Sequence, residues 1–364
     1  MKKQIVTIAA LAMSLNMFAQ QWPVPNQEAK PGTRWWWLGS AVTENDLKWN
    51  LRQFADHGIG AIEITPIYGV QGNEKNNIPF LSPRYMDILK YVNAECKADG
   101  IEFDMATGTG WPFGGPWVPL DESASQMLII DTTVVGKKIK ALDLRPIEKK
   151  RKNTTLVGIY AFSEGKFLKI TTPLVEGTLT TKLPSKGTWR IIALYQKKGV
   201  MAVKRAAPGG AGLVIDHFDK QAVTNYLKHI EEAFEKTGTP YPHTFFNDSY
   251  EVSESDYTPT LFQEFYNRRG YSLEENFDKL VDGDTKVVAD YRETLGDMLL
   301  DNFTRTWTAW AHSHGAITRN QAHGSPANLI DCYAAVDIPE IEGFGLTNFG
   351  IKGLRQDPGK TRKN

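Results

Sequence analysis

The chain has few cysteines and no excess of either charge. Of its 364 residues only Cys96 and Cys332 are cysteines. They lie far apart in sequence, so they indicate neither a disulfide framework nor a metal motif, and we expect both to pack as small apolar side chains. Lys and Arg together number 42, as do Asp and Glu. Because no polybasic run is present, the sequence predicts no nucleic-acid partner.

Long apolar runs are also scarce, and the one at the amino terminus is short. Lys2 and Lys3 precede an apolar stretch from Ile5 to Met17, which is too short to span a membrane but typical of a secretory signal. We therefore predict a cleavable signal peptide at residues 1–20. The protein is then exported to the periplasm or the extracellular medium, and the mature chain is not membrane-spanning.

Helix and strand patterns alternate along much of the mature chain. "RWWWLGS" (34–40), "AIEIT" (61–65) and "IEFDMA" (101–106) are predicted strands, and Thr43 and Ser82 are predicted caps of the helices between them. This order is typical of a parallel α/β fold. No GxGxxG follows the first strand, so the usual dinucleotide signature is missing.

The alternation stops near Met127 and resumes at Leu213. The stretch between them is rich in Thr, Val, Ile and Lys and has turn signals, which predicts an inserted small all-β domain. After a helix capped by Asp219, three further strands are predicted in "HTFFNDSYE" (243–251), "GAITRNQAHG" (315–324) and "DIPEIEGFG" (337–345), with a long helix at about 286–314 before the second of these.

Six β/α units with an insertion predict a (β/α)8-type (TIM) barrel that is incomplete, because such barrels need about eight strands to close. The predicted parts are the barrel start at 21–126, the inserted domain at 127–210, the barrel continuation at 211–350 and a polar tail at 351–364, interpreted as a truncation. The alternative is a six-stranded open doubly wound sheet, which needs no missing part.

Carboxylates, amides and tryptophans dominate the predicted strand ends, where barrel enzymes keep their active sites. Glycoside hydrolysis needs such groups: one carboxylic acid protonates the leaving oxygen, a second carboxylate activates water or attacks, and indole faces cover sugar rings. The candidate catalytic residues are Glu251, Glu340 and Glu342. The candidate substrate-binding residues are Trp37, Asp104, Trp111, Trp117, Asn247, Asp248, Gln321 and His323.

For Trp37, and for Glu63 on the second predicted strand, a structural interpretation is as good as a functional one. Strand alternation places one tryptophan of the Trp35–Trp37 run at a sugar and the next away from it, and we predict that Trp37 rather than Trp36 lies at the site, although a core position is equally consistent with the pattern. Glu63 points either into the barrel or at a helix, so it belongs to a buried pair or to catalysis.

Several long motifs, in order, resemble the catalytic region of glycoside hydrolase family 106, a family of large secreted α-L-rhamnosidases. They are "RWWWLGSAVTENDLKWNLRQFADHGIGAIEI", "PFLSPRYMDILKYVNAECKADGIEFDMATGTGWPFGGPWV", "FFNDSYEV", "FQEFYNRRGYSL" and "QAHGSPANLIDCYAAVDIPEIEGFG". The resemblance implies inverting hydrolysis of terminal α-L-rhamnose on an oligo- or polysaccharide, with a Ca2+ ion near the sugar. By position, Glu251 is the implied general acid, and Glu342 or its neighbour Glu340 the implied base.

These roles carry physical expectations. An acid that stays protonated near neutrality should be partly desolvated, near aromatic neighbours such as Tyr250. Inversion requires a carboxyl separation of about 6.5–9.5 Å, against about 5–5.5 Å for retention. Asp248, Asn247 and Asp337 are options for calcium, although no loop has the twelve-residue calcium pattern. The alternatives are a retaining, β-galactosidase-like barrel glycosidase and a non-catalytic carbohydrate-binding or remnant fragment.

Overall fold

The computed structural model describes residues 25–147, 150 and 152–341. The predicted signal peptide, the polar tail and Glu342 lie outside these residues. In chain order the strands are β1 Gly32–Leu38, β2 Ala61–Ile67, β3 Glu102–Ala106, β4 Gly114–Gly115, β5 Ser125–Val135, β6 Lys138–Asp143, β7 Thr154–Ser163, β8 Lys166–Ile170, β9 Thr178–Lys182, β10 Thr188–Lys198, β11 Leu213–Val214, β12 Thr244–Asn247, β13 Ile317–Asn320 and β14 Ile338–Pro339.

The helices alternate with the strands of the main sheet. They are α1 Glu44–Asp56, α2 Pro83–Asp99, α3 Lys220–Thr237, α4 Leu261–Arg269, α5 Phe277–Asp282, α6 Thr285–Met298, α7 Arg305–Ser313 and α8 Leu329–Ala334, with a π-helical segment at Leu299–Thr304 joining α6 to α7. The three predicted caps are confirmed, because the side chains of Thr43, Ser82 and Asp219 each accept a hydrogen bond from a backbone N–H in the first turn.

The main sheet has six parallel strands in the order β1-β2-β3-β12-β13-β14. This order follows the chain without a reversal, whereas the doubly wound alternative reverses its strand order at a switch point. The mixed α/β class is therefore confirmed. Among the described residues no ladder joins β1 to β14, so the sheet is open there, and the predicted incomplete (β/α)8-type barrel stays a prediction. The sheet is nevertheless strongly curved, since Arg34 on β1 reaches to 3.9 Å from Glu340 after β14.

One face of the main sheet is covered by helices. Trp35 and Trp37 of β1 point toward α1 and α2, and Phe245 of β12 contacts Phe234 of α3 and Trp310 of α7. These side chains belong to one continuous buried core. The opposite face carries charged side chains on several strands.

The strands from Ser125 to Lys198 form separate antiparallel sheets of four strands (β5-β10-β7-β8) and two strands (β6-β9). Strand alternation gives the larger sheet two buried faces. Tyr160 and Ile192 pack into the main core, while their neighbours Ala161 and Ile191 pack into a second core with Trp189. The inserted strands therefore have a core of their own and also contribute side chains to the main core.

A membrane span is not among the described elements. Within residues 25–147, 150 and 152–341, no helix has both the length and the apolar character needed to cross a bilayer.

We predict that Phe245→Ala lowers the free energy of unfolding by about 3–5 kcal/mol, because Phe245 is fully buried and its loss leaves a cavity between β12 and the helices. Urea denaturation measures this change. Tyr266→Ala, at a half-exposed position on α4, is the matched control and should change stability by no more than about 0.5 kcal/mol. Equal effects of the two variants would show that Phe245 is not part of a close-packed core.

Candidate active site

The candidate site lies at the carboxyl ends of the parallel strands, where exposed aromatic rings meet the loops. Trp36 at the end of β1 is 40% exposed, and its ring centroid lies 6.2 Å from that of Trp111 in the loop after β3. Tyr68, which follows β2, is also exposed. Below these rings a small cavity is lined by Thr65, Trp111 and the end of β12 at 246–248. Exposed indole and phenol faces beside a polar cleft suit sugar rings.

The assignment of Trp37 to the substrate was wrong. Trp37 is only 1% exposed and packs edge-on against Tyr85 of α2. Successive side chains of a strand point to opposite faces, so the burial of Trp37 against the helices places Trp36 at the cleft. The sequence shows the alternation, but three consecutive tryptophans do not reveal which face is the inner one.

The assignment of Trp117 is also not supported by its surroundings. Its ring stacks on His229 of α3 at 4.3 Å between centroids and on Phe80 at 6.2 Å. Trp117 therefore packs against the main core, whereas Trp111, in the same glycine-rich loop, lines the cleft.

Glu251 lies in the loop after β12, beside Trp111 and Lys204. Its Oε2 is 2.7 Å from Nζ of Lys204, and its Oε1 is 3.4 Å from the Ser249 hydroxyl. Partial burial raises the pKa of Glu251, but the hydrogen bonds from Lys204 and Ser249 and the charge of Lys204 outweigh it, so the pKa lies below its ordinary value. The side chain is 41% exposed. The expected desolvated acid is thus an ion-paired carboxylate in the ligand-free protein.

Asn247 and Asp248 are held by partners on neighbouring strands. The amide nitrogen of Asn247 donates to Oδ1 of Asn320 at the end of β13, at 2.7 Å. Oδ2 of Asp248 lies 3.2 Å from Nη1 of Arg34 on β1, and Oδ1 accepts from the backbone N–H of Ser249. Both predicted residues therefore lie at the strand ends as fixed polar groups.

The fifth and sixth strands bring Gln321 and Glu340 together. Nε2 of Gln321 donates to Oε1 of Glu340 at 2.6 Å, and Nε of Arg319 lies 3.0 Å from Oε2 of the same carboxylate. Glu340 is thus positioned by the strand beside it. The alternative base, Glu342, lies outside the described residues, so the choice between the two stays open.

His323 connects the two loops that carry these groups. Its backbone carbonyl accepts a hydrogen bond from the N–H of Tyr250, at 3.0 Å. At the next position, a side chain on Gly324 would come within 2.4 Å of the Tyr250 carbonyl oxygen, and Gly324 has a φ of +83°. Glycine is required there because the loops after β12 and β13 approach so closely.

A cluster of charges fills the inner face of the sheet beneath the cleft. Glu63 is 3% exposed and lies 3.0 Å from Nε of Arg34, and it also binds Arg319. Asp104 lies 3.5 Å from Arg319. Burial raises the pKa of Glu63, and the two arginines offset only part of that effect. The cluster borders a cavity of about 400 Å3.

Asp104 is therefore a member of this charge cluster rather than of the aromatic cleft. The two arginines of the cluster were not among the predicted site residues. Each arginine lies in a predicted strand, and that placement is the signal that could have identified it. In the sheet Arg34 is paired with Glu63 of β2, and Arg319 is paired with Phe246 of β12.

The described residues do not assemble a site for the expected calcium ion. Asp337 accepts hydrogen bonds from the N–H and hydroxyl of Thr318 and lies 2.9 Å from Nε2 of His312, whereas Asp248 is bound to Arg34. In the described part of the chain no three His, Cys, Asp or Glu side chains converge as a metal site. Calcium therefore rests on the resemblance alone.

The sequence matches the family model of α-L-rhamnosidases of glycoside hydrolase family 106 over residues 23–155 and 158–340. The chain belongs to this family. The resemblance stated from the motifs is thereby confirmed, and with it the assignment to a family of glycosidases.

Two similar proteins extend the comparison of this family 106 chain. A protein of Formosa agariphila named "Putative beta-glucuronidase" is 24% identical over 87% of the chain and 32% of its own length. The solved structure of a rhamnosidase from Novosphingobium sp. PP1Y superposes with a TM-score of 0.65 at 15% identity, over 86% of this chain and 48% of the other. The chain thus spans about a third and about half of these two proteins.

We predict that Lys204→Met raises the pKa of Glu251, because an opposite charge within hydrogen-bonding distance favours the ionised carboxylate. The pKa is measured by carbon-detected NMR titration of the glutamate carboxyls. Lys198→Met removes another lysine that binds an exposed acid, Asp121, and should leave the Glu251 titration unchanged. An unshifted Glu251 in Lys204→Met would show that the ion pair does not hold in solution.

We predict that Arg34→Met lowers the free energy of unfolding by about 3 kcal/mol, because it leaves Glu63 with one cation instead of two. The pKa of Glu63 in the folded protein already lies above its ordinary value of 4.5, and the variant raises it further. The folded state then holds a proton that the unfolded state releases, so stability declines as pH rises above about 4.5.

Chemical denaturation at pH 5 and pH 8 tests this prediction, with the larger loss expected at pH 8. Arg84→Met breaks an exposed pair with Glu44 and should leave the free energy of unfolding nearly unchanged at either pH, because solvent screens exposed charges. A loss for Arg34→Met that is small or independent of pH would contradict the buried-charge interpretation.

Proposed function

We propose that the protein is an exported glycosidase that removes terminal α-L-rhamnose from an oligo- or polysaccharide by a single-step inverting reaction. The site lies on a (β/α)8-type barrel of which the described residues supply six strands. Family membership, the fold shared with a solved rhamnosidase and the sequential parallel strands support this proposal. The observation that carries it furthest is Glu251, a carboxylate in the loop after β12 that lies beside the indole of Trp111.

Glu251 is the proposed general acid. In the free protein its charge is stabilised by Lys204, and partial burial already acts in the opposite direction. A sugar lying on Trp111 would exclude water from the carboxylate, and this desolvation raises the pKa toward the value that an acid needs. Proton transfer from Glu251 to the glycosidic oxygen then leaves the carboxylate ionised and again able to pair with Lys204.

The proposed base comes from the sixth strand, as Glu340 or Glu342. In inversion the base removes a proton from a water molecule that attacks the sugar carbon opposite to the leaving group. Glu340 is oriented by Arg319 and Gln321, and Arg34 lies between it and Asp248, at 3.9 Å and 3.2 Å. These contacts hold the Glu340 carboxylate in a defined position at the strand ends, as a base that must direct a water molecule requires.

The sugar-binding groups follow from the same geometry. Trp36 and Trp111 offer faces for the ring, and Asn247, Asp248 and Gln321 offer amide and carboxylate groups for hydroxyls. Oε1 of Gln321 is buried and has no hydrogen-bond partner among the described residues. A buried acceptor of this kind suits a substrate hydroxyl, because an unsatisfied polar atom costs free energy that a bound donor recovers.

We predict that Glu251→Gln lowers kcat/KM for phenyl α-L-rhamnoside by about 10²–10⁴-fold, the usual contribution of a general acid. The loss should shrink for an aryl rhamnoside with an acidic leaving phenol, which departs without a proton. Glu254→Gln, the same exchange three residues along the loop at an exposed position, should retain activity. Equal losses for both leaving groups would remove Glu251 from the role of acid.

Product stereochemistry separates inversion from the retaining alternative. Proton NMR during the first minutes of hydrolysis should show β-L-rhamnose before mutarotation. First release of α-L-rhamnose would establish retention. A folded chain that binds rhamnosides without turnover would instead favour the carbohydrate-binding alternative.

A further inference from the structure

Arg205 is an exposed cation beside Lys204 at the mouth of the cleft. Its guanidinium carbon lies 5.6 Å from the ring centroid of Tyr68 and 5.6 Å from that of Trp111. Nη1 donates to the Tyr68 hydroxyl at 3.2 Å. Trp111 is also the ring beside Glu251, so Arg205 lies on the side of the cleft from which the proposed acid acts.

The segment that presents Arg205 is held in place by its backbone. Lys204 and Trp111 exchange two backbone hydrogen bonds, at 2.9 Å and 3.1 Å, and the Arg205 carbonyl accepts from the N–H of Tyr68 at 3.1 Å. Gly110 permits this approach, because a side chain there would come within 1.9 Å of the Lys204 carbonyl oxygen. Arg205 also has a φ of +54°, a strained value for a residue with a side chain. The guanidinium is therefore displayed from a rigid position.

Arg205 differs from the other arginines of the site in its partners. Arg34 and Arg319 each bind two or more carboxylates, and Lys204 binds Glu251. Among the residues that the structure describes, Arg205 has no carboxylate partner; its contacts are the two rings and the Tyr68 hydroxyl. Several N–H donors of the guanidinium therefore remain available, flanked by aromatic faces that limit hydration.

We propose that Arg205 binds the carboxylate of a hexuronic acid in the leaving group of the substrate, so that the preferred bond joins rhamnose to a uronate rather than to a neutral sugar. This inference rests on the proposed function, because it places rhamnose at Glu251 and the next sugar beyond Trp111. A planar guanidinium fork matches a carboxylate in a bidentate pair. The rings of Tyr68 and Trp111 form the apolar surface on which that sugar lies.

The test compares two substrates of the same linkage, α-L-rhamnosyl-glucuronate and α-L-rhamnosyl-glucose. The wild-type chain should have a kcat/KM about tenfold or more higher for the uronate, as a charge-assisted hydrogen bond predicts. In Arg205→Gln this ratio should fall to about one, and in Arg205→Lys it should be intermediate, because the charge remains without the fork. Arg292→Gln, an exposed arginine on α6, is the matched control and should keep the wild-type ratio.

Several outcomes would overturn the inference. One is a wild-type ratio near one, and another is an Arg205→Gln variant that loses the same factor on both substrates. A third is a preference for a sulfated glucoside that equals the preference for the uronate, which would show attraction of any anion.

A binding measurement keeps this test independent of the proposed function. Calorimetric titration compares methyl glucuronide with methyl glucoside on the wild type and on Arg205→Gln. If no rhamnoside is hydrolysed but the glucuronide alone binds and depends on Arg205, the uronate site stands and the rhamnosidase proposal fails. If aryl rhamnosides are hydrolysed and neither the ratio nor binding responds to Arg205, the rhamnosidase proposal stands and the uronate site fails. Hydrolysis of an aryl β-glucuronide would place the uronate in the cleaved sugar and contradict both.

Discussion

The structure depends most on a buried ionic cluster that ties the first strands of the main sheet to its last. Arg34 on β1 and Arg319 on β13 both bind Glu63 on β2, and Arg319 also faces Asp104 on β3 and Glu340 after β14. Ion pairs desolvated in this way contribute little net stability, but the loss of one partner is costly because it leaves a buried charge unpaired. The cluster therefore acts as a constraint on geometry, since the sheet must curve for its two ends to share the same carboxylates.

The same two arginines also fix carboxylates at the edge of the cleft. Arg34 also holds Asp248, and Arg319 also holds Glu340, so the two arginines join the buried layer to the carboxylates at the strand ends. Between them lies the ring of Phe246, with the guanidinium carbons 4.5 Å and 5.2 Å from its centroid. Phe245 and Phe246 therefore lie on opposite faces of the sheet. The ring of Phe245 packs against helices, and the ring of Phe246 lies between the guanidinium groups of Arg34 and Arg319.

Local chemistry made much of the fold predictable, and long-range pairing made the rest unpredictable. Helix caps such as Thr43 and Ser82 depend on residues three positions away, so the sequence shows them directly. The inner face of β1 depends on what the other strands contribute, so the sequence favoured Trp37, which is buried against the helices, over Trp36, which is exposed at the cleft. The ion pair between Lys204 and Glu251 could not be predicted from the sequence either. It joins two loops, and the sequence does not specify the path of the inserted region that leads to Lys204.

The inserted strands take part in the site through the segment that returns from them. Residues 199–212 follow β10 and cross the carboxyl ends of the parallel strands, hydrogen-bonded to Tyr68, Thr109 and Trp111. Asn247, Asp248 and Glu340 come from the parallel sheet, whereas Lys204 and Arg205 come from this returning segment. The two sides of the cleft therefore have separate structural supports. A change in the returning segment can therefore alter the side of the cleft that carries Lys204 and Arg205 while the ionic cluster, and with it the carboxylates at the strand ends, stays intact.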